Sequence, residues 1–270
     1  MLAADACVLV YNTAMSEPLS AELQTVIHEW TTEQVQSAAK PNFGKVYVTA
    51  PNLLERLGDV TDKRVLELGC GNGYWLRLLS RAGAWCTGID HAEQQIEAAK
   101  AWDDPATKTI TYSVGDICKP LGLQAEFDIV FLEHVLLEIT TKEGLEGAIK
   151  NARNALKPGG KLVVSDLHPF APASRPANLR VSDDFSYFDS GAQIEIASKR
   201  VDGETIYYKD CHWTLSDIFS ALATAGFVTK TVTEPLPRPE DVAAHPEELA
   251  YRLTHPMAIM IEAEPAQPAA

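Results

Sequence analysis

From Arg64 onward, short apolar runs rich in β-branched residues alternate with helical stretches, and this alternation constrains the fold more than any other feature. The runs cover 65–68, 85–89, 110–114, 127–132 and 162–165, and helices are expected at 74–79, 92–101 and 145–156. Ile129, Val130 and Phe131 are apolar without a break, as a strand covered on both faces must be. An α/β protein follows, with a doubly wound, mostly parallel sheet. Ahead of it, Leu23, Val26, Ile27 and Trp30 fall at helical spacing after a Ser20 cap. A second short helix is expected with Pro51 near its start and Gly58 at its end.

Behind the fifth run the pattern changes. Residues 193–201, then Asp202-Gly203, then 204–208 predict a β-hairpin, with Asp-Gly supplying the positive φ angles of a two-residue I′ turn. A helix at 216–225 and closing strands at 228–232 and 258–261 complete the reading.

At 270 residues, one large domain with appendages is expected. The first basic residue is Lys40, so the apolar start lacks a secretory n-region, and no stretch approaches the roughly 18 apolar residues of a spanning helix. Five scattered cysteines fit neither a disulfide framework nor a zinc site, so a cytoplasmic protein without structural metal is expected. A net charge of −14 argues against a nucleic-acid partner.

Chemistry concentrates where the runs end. The first leads into Glu67-Leu68-Gly69-Cys70-Gly71-Asn72-Gly73 and a helix, a turn in which glycines allow close backbone approach and free N–H groups attract an anion. An ordinary strand-to-helix turn reads the same way, and the spacing GxGxG differs from the GxGxxG of nicotinamide sites. Asp90, 21 residues after Gly69, can accept from ribose hydroxyls or cap the following helix. Asp116 with Ile117 holds the same place after the third run, as a ligand contact or a turn residue.

The segments 65–73, Gly88-Ile89-Asp90, Gly115-Asp116-Ile117, 127–130 and 156–162 together resemble the successive motifs of class I S-adenosylmethionine (SAM)-dependent methyltransferases. Small-molecule enzymes of secondary metabolism and quinone biosynthesis are the nearest in character. That resemblance implies a seven-stranded Rossmann-like methyltransferase fold with a final antiparallel strand. It divides the chain into an arm with cover helices (1–60), a SAM-binding core (61–170), a lid over the acceptor (171–213), the rest of the core (214–264) and a tail (265–270). It further implies that Glu67 and the loop Gly69, Cys70, Gly71, Asn72 and Gly73 face the methionine moiety. Asp90 with His91 then serves the ribose, Asp116 with Ile117 the adenine, and Glu133 the amino or sulfonium group.

His134 and His168 depart from the common pattern at the sheet's C-terminal edge, where either can face the acceptor as a general base. Packing or capping is the competing role for both. Tyr187, Tyr207, His212 and Trp213 either line an acceptor pocket or pack the hairpin. A small-molecule acceptor and a monomer or homodimer are expected. The rivals are a nicotinamide oxidoreductase, a SAM-binding partner without activity, and a SAM enzyme that releases methylthioadenosine.

Overall fold

The computed structural model describes residues 42–103, 110–176 and 178–266. The expected arm and the helix near 20–30 lie outside them. Seven strands form the main sheet: β1 (Arg64–Leu68), β2 (Trp85–Asp90), β3 (Thr111–Val114), β4 (Phe127–Glu133), β5 (Leu156–Leu167), β9 (Phe227–Thr233) and β10 (Ala258–Pro265). Their spatial order is β3-β2-β1-β4-β5-β10-β9, and β10 runs antiparallel to both neighbours.

The two-residue period of the central strands builds two cores. Leu66, Leu68, Val130, Leu132, Leu162 and Val164 point to one face, where they meet α4 (Lys142–Ala155) and α6 (Leu215–Thr224). Val65, Ile129, Phe131 and Val163 point to the other, against α1 (Ala50–Leu57), α2 (Tyr74–Arg81) and α3 (Glu93–Ala101). Both faces are therefore covered, which is why Ile129-Val130-Phe131 shows no polar alternation.

Three details differ from the sequence reading. Strand β5 begins at Leu156: Phe127 faces Leu156 and Ile129 faces Lys161, so Lys157 to Gly160 bulge out around Gly159 at φ +78°. The second cover helix is longer than Pro51 implies, because a π-helical turn over Lys45–Thr49 runs into α1. The hairpin turn is not type I′. Its Gly203 N–H donates to the Arg200 carbonyl at 3.0 Å, and Gly203 at φ +91° is the only residue of the turn with positive φ. One left-handed glycine suffices in the three-residue form of the loop.

The inserted segment is also richer than a hairpin. After the short α5 (Ala171–Ser174), β6 (Leu179–Arg180) adds to β7 (Gln193–Lys199) and β8 (Thr205–Cys211) as a separate antiparallel sheet. Ala171, Leu179, Ile194 and Met257 give it a small core of its own. Between β9 and β10 lie α7 (Pro239–Ala244), α8 (Pro246–Leu249) and a 3-10 turn over Ala250–Leu253, none of which the periodicity announces.

Candidate active site

Strands β1, β2 and β4 end at one edge of the sheet, and the loop after β1 is anchored there. The Gly69 and Cys70 N–H groups both donate to the Ile89 carbonyl, at 2.8 and 3.1 Å. Gly69, Gly71 and Gly73 have φ of +76°, +49° and +74°, but they serve different ends. A Cβ on Gly69 would collide with Val135, and one on Gly73 with the Tyr112 ring, so these two glycines permit packing behind the loop. At Gly71 only Gln95 Oε1, at 3.9 Å, comes within 4 Å of such a Cβ. Gly71 therefore faces open space.

Asp90 braces this loop. Its Oδ2 accepts the Gly71 N–H at 2.8 Å and its Oδ1 the Ala92 N–H at 2.9 Å. The carboxylate joins the β1 turn to the β2 turn, and α3 starts one turn position later, with Ala92 rather than Asp90 as its N-cap. His91 stands beside it, half exposed, with Nδ1 3.8 Å from Asp90 Oδ1.

The loop forms one wall of a cavity of about 1500 Å³. Glu67, Gly69, Cys70, Gly71, Asn72, Asp90, His91, Asp116, Ile117, Glu133 and His134 line it, whereas Gly73 lies behind the loop. Glu67 is 2% exposed, and its Oε2 has no hydrogen-bond partner among the described residues. Burial and the neighbouring Glu133 charge push its carboxyl well above the usual range, with Lys45 pulling the other way. Glu133 itself accepts the Trp75 indole N–H at 2.8 Å. A buried acceptor atom without a donor, on the cavity beside this turn, suits the cationic amino group of SAM's amino-acid end. Asp116 is committed in part: Oδ1 accepts the Cys118 N–H, and Oδ2 pairs with Lys119 at 2.9 Å, which holds its carboxyl below the usual range.

A family model described as a methyltransferase domain matches residues 65–160. A SAM-dependent methyltransferase structure from Mesorhizobium loti superimposes with a TM-score of 0.63 at 27% identity, covering 79% of this chain and 95% of that one. The chain carries a class I SAM-dependent methyltransferase domain. Among curated relatives, the demethylmenaquinone methyltransferase of Lactococcus lactis is 26% identical over 63% of this chain and 68% of its own length. The ubiquinone biosynthesis O-methyltransferase of Coxiella burnetii is 33% identical over 39% of this chain, which spans only 44% of that protein.

The acceptor side of this methyltransferase differs from the sequence reading. His134 does line the cavity, at φ +52°, with its side chain 44% exposed and Nε2 3.6 Å from Glu133 Oε1. Its backbone is fixed, since the His134 N–H donates to Ser165 and Asp166 Oδ2 accepts the next two N–H groups. His168 is not on the cavity. It is 5% exposed, its Nδ1 accepts the Phe170 N–H at 3.0 Å, and its Nε2 lies 3.0 Å from Glu234. Burial lowers its pKa. With both ring nitrogens engaged, His168 closes the turn after β5.

Tyr187, Tyr207, His212 and Trp213 are likewise absent from the cavity lining. Trp213 donates to the Leu136 and Ile139 carbonyls, and His212 Nε2 lies 2.7 Å from the Tyr187 carbonyl. The Tyr187 hydroxyl accepts the Leu215 N–H at 3.0 Å, and Tyr207 packs outward under Arg180. All four pack the inserted sheet and α6. Alternation along β8 instead turns Tyr208 and Asp210 into the cavity, beside Glu138 from the 3-10 turn Leu136–Glu138. Tyr251, Arg252 and Met257 close it from the β9–β10 connection. Among the described residues no group of three or more His, Cys, Asp or Glu is placed to hold a metal ion, and no helix is long and apolar enough to cross a membrane.

Proposed function

We propose that this methyltransferase moves a methyl group to an oxygen or nitrogen atom of a small molecule, with His134 receiving the acceptor's proton. One observation carries the reading: the cavity that Glu67, Gly71 and Asp90 line continues without a wall to His134, Glu138 and Tyr208. At about 1500 Å³ it exceeds the roughly 300–1000 Å³ of a single-ligand pocket and has room for two ligands side by side.

Bound SAM supplies an electrophilic methyl on a sulfonium sulfur, which keeps the bonding pair when the methyl leaves. The loop and Asp90 fix the cofactor's ends, Glu67 and Glu133 offer carboxylates to its cationic groups, and alignment of the acceptor in line provides much of the rate. His134, partly open to the cavity, is the neighbouring imidazole that would take the proton of a phenol or ammonium acceptor. The Coxiella burnetii relative is named an O-methyltransferase, which favours a hydroxyl among the oxygen acceptors.

Incubation with SAM and a panel of acceptors, read by mass, tests the reaction. S-adenosylhomocysteine is the expected product, and methylthioadenosine would indicate different chemistry at the same cofactor site. For the base, His134→Asn is the informative variant, because Asn tolerates the left-handed backbone that His134 adopts. Its turnover should fall by on the order of a hundredfold with SAM affinity within a few-fold. Unchanged turnover and pH profile would leave alignment alone as the mechanism.

A further inference from the structure

We propose that the acceptor enters this cavity as an ammonium cation, received by the Glu138 and Asp210 carboxylates. The inference rests on the methyltransferase reading above and narrows it to amine-bearing acceptors. The two side chains reach the cavity from separate elements, Glu138 from the turn after β4 and Asp210 from β8, where it pairs in register with Ile194. Asp210 is 8% exposed, and neither carboxylate has a hydrogen-bond or ion-pair partner among the described residues. Glu138 is exposed where it opens onto the cavity, with Asp210, Asp90, Asp166 and Glu133 as its charged surroundings.

A buried acid such as Asp210, with a second acid beside it and no counter-charge, is costly unless something else supplies one. Among the described residues no cation of the chain pairs with either acid: Lys45 lies over the Tyr74 ring at 4.2 Å and acts on Glu67, and Arg252 lies over Tyr251. Lys119 pairs with Asp116 at 2.9 Å, Lys199 with Glu248 at 2.7 Å, and Arg175 donates to the Ser182 and Asp183 carbonyls. The first 39 residues of the sequence contain no Lys or Arg. Burial holds both carboxyls high, Asp210 at about 7 with Asp166 adding to the rise and Glu138 with Asp210 adding to it, and a bound cation would offset the cost of ionising them.

An ammonium group suits the pair better than the other candidates. It presents three donors to two carboxylates, whereas a divalent ion would find only these two ligands here. Tyr208, two residues before Asp210 on the same face of β8, adds an aromatic surface. A neutral hydroxyl would leave the acids uncompensated, and an anion would be repelled. The matched family residues end at 160, before Asp210, so relatives' acceptors are no guide to this wall.

The test uses the full chain saturated with S-adenosylhomocysteine at pH 7 and three probes of one shape: phenethylamine, 2-phenylethanol and 3-phenylpropanoate. Calorimetry should show the amine binding at least about tenfold more tightly than either other probe. Asp210→Asn and Glu138→Gln should each remove most of that preference while leaving S-adenosylhomocysteine affinity unchanged. Equal binding of amine and alcohol, no binding of any probe, or amine binding indifferent to both substitutions would overturn the proposal. So would Mg²⁺ alone stabilising the protein in an Asp210-dependent way. Failure to bind S-adenosylhomocysteine at all would instead remove the cofactor reading beneath it.

Discussion

Asp90 concentrates two roles in one carboxylate. Each oxygen accepts a backbone N–H, from Gly71 and from Ala92, and the residue also lines the cavity. Asp90→Ala is therefore expected to weaken SAM binding by roughly 1 to 3 kcal/mol and also to lower Tm, because two N–H groups lose a charged acceptor. A fall in Tm with unchanged calorimetric affinity would confine Asp90 to bracing the loop. Residues of this kind were legible because strand ends carry ligands in this architecture, and Asp90 sits at one. The acceptor side was not legible by the same logic. His168 and His134 look alike in sequence, each a histidine just past a strand, and only the turn that spends both His168 nitrogens separates them. Glu138 and Asp210 gave no signal, since a lone acid in a turn or strand reads as a solvated one. Tyr207 and Tyr208 are adjacent in sequence, and strand parity alone decides that Tyr208 faces in.

Each element of the parallel core could be read from periodicity, because burial on both faces leaves an apolar run that nothing else in the chain imitates. The connection between β9 and β10 could not. Its helices α7 and α8 are a few residues long, begin at Pro239 and Pro246, and bury little beyond Leu249. The start of α6 is the best-defined boundary: Thr214 and Asp217 form a reciprocal capping box, and Trp213 beside it donates to two carbonyls of the β4–α4 connection. Thr214→Ala should cost about 1 kcal/mol by denaturant melt, with the slope of the transition unchanged. A loss below a few tenths would mean that Trp213 packing alone fixes that helix start. The inserted sheet β6-β7-β8 poses a dynamic question. Its own core is four buried side chains, and its strands β7 and β8 line the same cavity as the loop after β1. Residues 171–213 are expected to behave as a lid, with amide exchange slowing on addition of S-adenosylhomocysteine and an acceptor. Equal exchange with and without ligands would make the sheet a fixed wall.

Across the whole molecule, the cavity and the end of β5 behind it gather carboxyls whose protonation the fold favours. Burial, with like-charged neighbours, raises Glu67 and Glu138 well above the usual range and holds Asp166 at about 6 and Asp210 at about 7. Each binds its proton more tightly folded than unfolded, where a carboxyl titrates near about 4. The stability these groups contribute is thus fully present below about pH 4 and is lost as pH rises through the folded values. Asp116, Asp128 and Asp217 are lowered instead, so what they contribute disappears only at pH below about 4 and does not oppose the trend. Without ligands, Tm should therefore decline between pH 5.5 and pH 8, steepened by a net charge of −14. Asp210→Asn removes a penalised carboxylate that has no hydrogen bond to lose, so at pH 8 the variant should melt several degrees above the parent, at about 2–4 °C per kcal/mol recovered. At pH 5.5 the two should nearly coincide, because Asp210 is already protonated there. SAM, which would carry a cationic group to Glu67, should flatten part of the decline in the parent protein. A Tm that rises with pH over this interval would show that the cavity acids are ionised and compensated in the folded state, and that their charges, rather than their protons, hold this wall together.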